Sequence, residues 1–248
     1  MIIIKTEEDI KHIRLACRAA GEVLKEAEGE VRPGITTEEL DRFIEKALIK
    51  RGAKAAFKGY RGYRHASCLS VNEEIVHGIP SNKIINEGDI IGVDIGAIVN
   101  GYYGDTASTF AVGHVSKSAK KLIKTTKESL ELAIKAAKAG RFVGDISSVI
   151  EQFALRHGYN VVKDLFGHGV GKDLHEDPLI PNFGRPGVGP KLTAGMVFAI
   201  EPMLNIGCSE IETLDDGWTV VTKDRMLSAH FEHTVLITKS GVEVLTRV

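Results

Sequence analysis

Two aspartates, Asp94 and Asp105, stand eleven positions apart in the segment GVDIGAIVNGYYGDTAST, which covers residues 92–109. The segment mixes short apolar residues with glycine in the manner of β-strands, where charged side chains are uncommon. Two carboxylates left unpaired there would each cost several kcal/mol of desolvation. A divalent cation removes that cost and suits oxygen ligands. The pair therefore indicates metal chemistry, with a solvated hairpin face as the alternative.

The dipeptide Asn100-Gly101 predicts where this segment turns, because both residue types tolerate positive φ in a two-residue hairpin loop. With the turn there, paired residue numbers sum to 201, and Asp94 lies opposite Ala107. Asp105 is then its diagonal neighbour on the same face, about 7–8 Å away, within reach of a shared ligand. The same face carries small residues that we expect to leave room for that ligand: Gly92 and Gly96.

Three further segments supply candidate ligands. FGHGVGKDLHEDP contains His168 and His175, FAIEPM contains Glu201, and HFEHT contains Glu232. A glycine-flanked histidine is by itself more often a loop residue than a ligand, and GHGVGK lacks the first glycine and the Ser/Thr of a phosphate loop. Two aspartates, one histidine and two glutamates in four β-rich contexts nevertheless favour a metal centre over a set of incidental residues.

The elements that must position these side chains follow the order helix, helix, sheet, helix, helix, sheet. Capping-box patterns begin the first two helices, with Thr6 paired to Asp9 and Thr36 paired to Glu39. Helical spacing returns later, and the remaining stretches are β-rich. The predicted ranges are helices at 117–139 and 145–157 and strands with turns at 57–112 and from 160 onwards.

The two halves of the chain also resemble each other. EGDIIGVD (87–94) is similar to AGMVFAIE (194–201), and each is a glycine-led apolar strand that ends in a carboxylate. A second carboxylate, Asp105 or Glu232, then opens another β-rich run. Chance similarity between strands is the alternative. The matched acids predict a duplicated α+β unit within a single domain, 1–248, with halves of about 1–115 and 116–248.

Composition argues against several classes of partner and compartment. Lys and Arg number 32 against 33 Asp and Glu, and no basic block favours nucleic acid or an anionic membrane. No apolar run reaches the roughly 18 residues of a membrane helix. The first residues lack the pattern of a secretory signal, and three scattered cysteines suit a reducing compartment. We therefore expect a cytoplasmic protein.

Over essentially its whole length the chain resembles the type I methionine aminopeptidases, the short bacterial form of the pita-bread metallopeptidases. The segments that carry the resemblance are SVNEEIVHGIP, GDIIGVDIGAIVNGYYGDTA, FGHGVGKDLHEDP, FAIEPM, DGWTVVTKD and SAHFEHTVLIT. The resemblance implies an α+β pita-bread fold, with two pseudo-symmetric helix-helix-sheet halves around a central antiparallel sheet. It also implies a monomeric enzyme that removes the initiator methionine from nascent polypeptides at the ribosome when the second residue is small. No nucleic-acid substrate and no membrane are expected.

The resemblance further implies two divalent ions per chain, cobalt, manganese, iron or zinc, and a hydroxide between them that attacks the scissile carbonyl. The implied ligands are Asp94, Asp105, His168, Glu201 and Glu232, with Asp105 and Glu232 bridging. Glu201 is also the implied proton shuttle. The implied contacts to substrate and tetrahedral intermediate are His77 and His175.

The same resemblance assigns a pocket for the methionine side chain. Its implied lining is Tyr60, Tyr63, Cys68 and Trp218, with Phe57 and Leu174 in the same region. Apart from the resemblance, Trp218 fits an ordinary strand aromatic, and Cys68 fits a small core residue.

Two alternatives are kept. The first is a proline dipeptidase or aminopeptidase of the same fold. These usually carry an additional N-terminal domain, for which we expect the 57 residues up to the first pocket aromatic to leave no room. The second is a binding module that has lost its metals, which the intact set of five ligand positions disfavours. Metal content and a peptide assay distinguish the three.

Overall fold

The computed structural model describes all residues from Met1 to Val248. The helices are α1 (Glu7–Glu30), α2 (Thr37–Lys50), α3 (Lys117–Ala136) and α4 (Val143–Arg156), with a 3₁₀ turn at Tyr60–Gly62. The strands of the first half are β1 (Lys54–Ala55), β2 (Cys68–Val71), β3 (Glu74–Val76), β4 (Ile90–Val99) and β5 (Tyr102–Ala111). Those of the second half are β6 (Asn160–Val161), β7 (Phe166–Gly169), β8 (Glu176–Pro181), β9 (Val197–Ile200), β10 (Met203–Asn205), β11 (Ile211–Thr213), β12 (Val220–Thr222), β13 (Ser228–His230), β14 (Glu232–Ile237) and β15 (Val242–Val244).

The predicted order of elements is confirmed, and so are the starts of the first two helices. The Thr6 side chain accepts a hydrogen bond from the Asp9 backbone N–H, while Asp9 accepts one from the Thr6 backbone, which closes the capping box of α1. Thr36 and Glu39 do the same for α2. Reciprocal caps of this kind satisfy amide groups that the first turn leaves free.

The limits of the third and fourth helices differ slightly from the prediction. α3 ends at Ala136 rather than 139, and α4 begins at Val143 rather than 145. Between them the chain turns at Gly140, whose φ of 87° lies in the left-handed region that glycine tolerates. No helix of the structure has both the length and the apolar character needed to cross a membrane.

A nine-stranded sheet runs in the order β1-β4-β5-β14-β9-β7-β8, with β2 on β4 and β15 on β14. The hairpin prediction is confirmed residue by residue, because Val99 pairs with Tyr102 and Asp94 pairs with Ala107. One face of β4 is apolar and fully buried against α1 and α2, as its alternation predicts: Ile91, Val93, Ile95 and Ala97.

The duplication predicted from the paired strings is visible at the centre of this sheet. β4 and β5 form one hairpin, β9 and β14 form its counterpart, and β5 pairs with β14 between them. Glu232 lies opposite Ala107, which in turn lies opposite Asp94. Two carboxylates from different halves therefore share one row across three strands.

The expectation of room for a ligand above the glycines of β4 is wrong at Gly96. A Cβ atom there would lie 2.7 Å from both Ala56 Cβ and Phe57 Cε1, so the protein itself fills the space. At Gly92 the nearest atoms belong to Ser70, at 3.7 Å, an ordinary van der Waals distance. Gly96 thus serves to admit the Phe57 ring against the sheet, rather than to leave a void.

We expect Gly96→Ala to lower the free energy of unfolding by about 1–3 kcal/mol, because the added methyl group forces Phe57 and Ala56 apart. Gly92→Ala is the matched control on the same strand face and should stay within about 0.5 kcal/mol of the wild type, as for a substitution that meets no clash. Urea denaturation of both variants measures the difference. Equal stability of the two would show that Phe57 is not packed on Gly96.

Candidate metal centre

Four of the five predicted ligands lie on strands and the fifth directly follows a strand, and these five strands are consecutive in the sheet. Asp94 lies in the middle of β4, Asp105 in β5 and Glu232 at the start of β14. Glu201 directly follows β9, and His168 lies in β7. Because β4, β5, β14, β9 and β7 are neighbours in this order, side chains far apart in sequence reach one site.

The side chains meet at the floor of one cavity. Ligand atoms of Asp105, His168 and Glu232 all lie within 4.8 Å of one another, and the three residues are 4%, 5% and 3% exposed. His168 Nε2 lies 3.6 Å from Glu201 Oε1 and 3.9 Å from Asp105 Oδ2. Asp94 lines the same cavity.

The carboxylates lack the partners that buried charges require. Asp94 Oδ1, Asp105 Oδ1 and Glu232 Oε1 are buried without any hydrogen-bond partner. Burial raises the pKa of Asp105 to about 7. Burial, followed by repulsion from Asp105, raises the pKa values of Asp94, Glu201 and Glu232 well above their ordinary range. Such an oxygen-rich set, with several acceptors free, fits a divalent cation.

His168 presents the right nitrogen to such an ion. Its Nδ1 lies 3.0 Å from the Gly169 carbonyl oxygen, which can only accept, so Nδ1 carries the proton and donates it. Burial lowers the pKa of His168 to about 4, and the ring is therefore neutral at pH 7. The lone pair of Nε2 then faces the carboxylates, the arrangement in which a hydrogen bond at the other nitrogen orients a metal-binding imidazole.

Aromatic side chains form one wall of the cavity, whose volume is about 340 Å³. Tyr63 and Trp218 meet edge to face with ring centroids 5.0 Å apart. The single hydroxyl proton of Tyr63 is shared between the backbone oxygens of Ser67, at 2.9 Å, and Gly78, at 3.2 Å. The hydroxyl is therefore engaged within the protein, and Tyr63 presents its apolar ring to the cavity. The residues predicted for this pocket all line the cavity: Tyr60, Tyr63, Cys68 and Trp218, together with Phe57 and Leu174.

The two histidines predicted to contact substrate also line the cavity. His175 has its Nδ1 2.7 Å from the Tyr60 hydroxyl, and its ring centroid lies 4.2 Å from that of His168. Burial lowers the pKa of His175 to about 3, with a further contribution from His168, so its imidazole is neutral. His77 has φ 59°, a left-handed value that is uncommon outside glycine and that recurs at functional sites.

Sequence reasoning missed five cavity residues, of which two, His230 and Arg61, are polar. His230 is 3% exposed, its Nε2 has no hydrogen-bond partner, and that atom lies 3.8 Å from Glu201 Oε2. The sequence does contain a signal for His230. It precedes Glu232 by two positions in HFEHT, and residues two apart lie on the same face of a strand. Arg61, at φ 48°, also lines the cavity, with its guanidinium 5.3 Å from the Tyr60 ring. No pattern distinguishes it from its basic neighbours.

The fold and the buried carboxylate cluster define a class of enzyme, the pita-bread metallopeptidases, which act through divalent metal ions. The profile of metallopeptidase family M24 matches residues 11–239, and the chain belongs to this family. A methionine aminopeptidase of Clostridium perfringens is 49% identical over 248 residues, the full length of both chains. The crystal structure of methionine aminopeptidase from Thermotoga maritima superposes with a TM-score of 0.99 at 46% identity, with both chains fully covered.

A proline-specific relative is more distant. The prolidase from Pyrococcus furiosus is 28% identical, with a TM-score of 0.82, and the match spans 99% of this chain but 66% of the prolidase. The prolidase and this chain therefore share a core fold. The higher identity and the full coverage place this chain with the methionine aminopeptidases.

Proposed function

We propose that this protein removes the N-terminal methionine from polypeptides whose second residue is small, with two divalent ions at the carboxylate cluster. The observation that carries the proposal is the convergence of four carboxylates and His168 on the floor of one cavity with an aromatic wall. The identity of the relatives supports the choice of methionine over proline substrates.

The charge of the cluster supports two ions rather than one. Four carboxylates, when ionised, carry four negative charges, which two divalent cations balance. The residues that would hold the ions are Asp94, Asp105, His168, Glu201 and Glu232. Asp105 and Glu232, on the paired strands β5 and β14, would be shared by both ions, as the resemblance implies. Cobalt, manganese, iron and zinc all suit such a donor set.

When bound, divalent ions polarise the scissile carbonyl and make water a better nucleophile at neutral pH. The protein groups would then act on the substrate. With the Tyr60 hydroxyl donating to Nδ1 of His175, Nε2 keeps its proton and can donate to the oxyanion that develops on the carbonyl. Glu201 would carry a proton towards the leaving amine. His77, beside Trp218 at a ring distance of 6.5 Å, would contact the bound peptide.

The pocket predicts a preference for methionine at the first position. An apolar wall of Tyr60, Tyr63, Cys68 and Trp218 suits an unbranched thioether, which makes favourable sulfur–aromatic contacts. A misplaced methyl group is usually worth about 1–3 kcal/mol, so we expect Leu-Ala peptides to be cleaved at least about tenfold less efficiently than Met-Ala peptides. Met-Lys peptides should also be slow. The measurement is kcat/KM across Met-Ala-, Met-Lys-, Leu-Ala- and Ala-Pro-starting peptides.

The same peptide series separates the alternatives. Preference for Ala-Pro over Met-Ala would assign the protein to the proline peptidases. No cleavage of any peptide with metal restored would favour a binding module.

We further infer that the chain works as one catalytic domain, a monomer in the cytoplasm that meets nascent chains at the ribosome. Its three cysteines are all free, which supports a reducing compartment. The other assignments follow from the resemblance to the short bacterial enzymes.

A further inference from the structure

Glu176, which directly follows His175 in the chain, forms an ion pair with Lys5, and the two side chains are 6% and 4% exposed. The two residues are 171 positions apart, and neither lines the cavity. Removing two charges from water costs much of what their attraction returns, so a buried pair is weak evidence for a purely stabilising role. Because Glu176 directly follows His175 in the chain, the pair is placed to act on that histidine.

The Glu176 carboxylate organises the loop that leads into His175. Its Oε1 accepts hydrogen bonds from the backbone N–H groups of Lys172, at 2.9 Å, and Asp173, at 3.3 Å, while its Oε2 contacts the Lys5 ammonium. A Cβ atom at Gly171 would lie 2.3 Å from both Glu176 Oε1 and Lys5 Nζ. The loop therefore passes directly against the ion pair, and a side chain at position 171 would have to displace one of the two charged groups.

Backbone hydrogen bonds join Lys5 to the segment just before β9 and join the loop at Gly171 to β5. The Lys5 backbone N–H donates to the Gly195 oxygen at 2.9 Å, just before β9, which leads to Glu201. On the other side, the Gly171 oxygen accepts from the Tyr103 N–H at 2.8 Å in β5, the strand of Asp105. Loop 171–175 is thus tied to the sheet at Tyr103 and, through the ion pair, at the chain segment before α1.

We propose that Lys5 and Glu176 are positioning residues that hold loop 171–175 so that the His175 imidazole stays in place over the catalytic cavity. The proposal rests on the proposed function, in which His175 acts on the transition state. A displacement of about 1 Å in a catalytic group can cost about a hundredfold in rate. Loss of the pair should therefore act mainly on kcat, although neither residue touches the substrate.

The test uses Lys5→Met, Glu176→Gln and Lys5→Arg in the metal-loaded protein. We expect the first two to lower kcat on a Met-Ala peptide by about tenfold or more, with KM within about twofold and metal content unchanged. Lys5→Arg keeps the cation and should retain at least about half of kcat. The control is Arg14→Met, which removes the ion pair from α1 to Glu243 in β15 and should leave kcat unchanged.

Two further measurements separate positioning from general stability. In the His175→Ala background, Glu176→Gln should change kcat by less than about twofold, because the residue through which it acts is already gone. Amide hydrogen exchange at Lys172 and Asp173 should accelerate in Glu176→Gln, while exchange in the helices stays as in the wild type.

Several outcomes would overturn the proposal. One is a lower melting temperature with an unchanged kcat of the folded protein, which would make the pair merely structural. Another is loss of metal in Glu176→Gln, or a full effect of that variant in the His175→Ala background. If Lys5→Met does not fold, the comparison of Glu176→Gln with Lys5→Arg carries the test. If the wild type cleaves no peptide, the proposed function fails, while accelerated exchange at Lys172 and Asp173 would still show that the pair holds the loop.

Discussion

Replacing Asp105 or Glu232 by alanine should abolish peptidase activity and weaken the binding of both metal ions. The two residues lie on the paired strands β5 and β14, and each has a buried carboxylate oxygen without a protein partner. As the proposed bridging ligands, these carboxylates would serve both ions at once, so the loss of either would remove metal assistance worth several kcal/mol. We therefore expect activity to fall by about a thousandfold or more. Asp94→Ala should mainly weaken one ion.

The measurement combines kcat/KM with metal content and melting temperature. Added divalent metal should raise the melting temperature of the wild type, because the ions bind the folded state, and should raise that of Asp105→Ala much less. Glu128→Ala removes an acid on α3 whose only ion pair, with Lys124, spans 3.9 Å, and it should behave as the wild type. Full activity with two metals retained in Asp105→Ala would refute the assignment.

His175→Ala should lower kcat by about a hundredfold to a thousandfold while metal content stays unchanged. One hydrogen-bond donor to a developing oxyanion is worth about 2.7–4 kcal/mol, and an interaction made mainly in the transition state affects kcat more than KM. The neutral His175 imidazole beside the Tyr60 hydroxyl has the form required for this role.

Tyr60→Phe provides a graded comparison, because it keeps the aromatic ring and removes the hydroxyl 2.7 Å from His175 Nδ1. It should lower kcat by less than His175→Ala does. If His175→Ala loses metal together with activity, His175 is a metal ligand. The distinction between His168 as a ligand and His175 as a substrate contact would then be wrong.

The local features of this fold could be predicted from sequence because local chemistry determines them. Asn100 and Gly101 adopt φ of 53° and 79°, the values a two-residue hairpin turn requires, and the turn alone sets every pair of β4 and β5. The capping boxes at Thr6 and Thr36 act within four residues in the same way. The proximity of Asp94 and Asp105 therefore follows from the hairpin alone, whatever the rest of the chain does.

The remainder of the site depends on contacts that no local pattern encodes. Glu232 meets Asp105 only because β14 pairs with β5, and His168 approaches because β7 lies beside β9. Spacing alone indicates candidate ligands, and only the resemblance to the type I methionine aminopeptidases joins them into one metal site. The filling of the space at Gly96 by Phe57 and the ion pair of Lys5 with Glu176 likewise follow from long-range packing, which periodicity cannot show.

Metal removal and replacement test the central claim most directly. The protein is treated with a chelator, its metal content is measured, and cleavage of a Met-Ala peptide is followed as cobalt, manganese, iron or zinc is added back singly. The metal-free protein should be inactive, activity should return with a divalent ion, and binding should reach two ions per chain in the wild type but not in Asp105→Ala. Undiminished cleavage by protein shown to contain no metal would contradict the account.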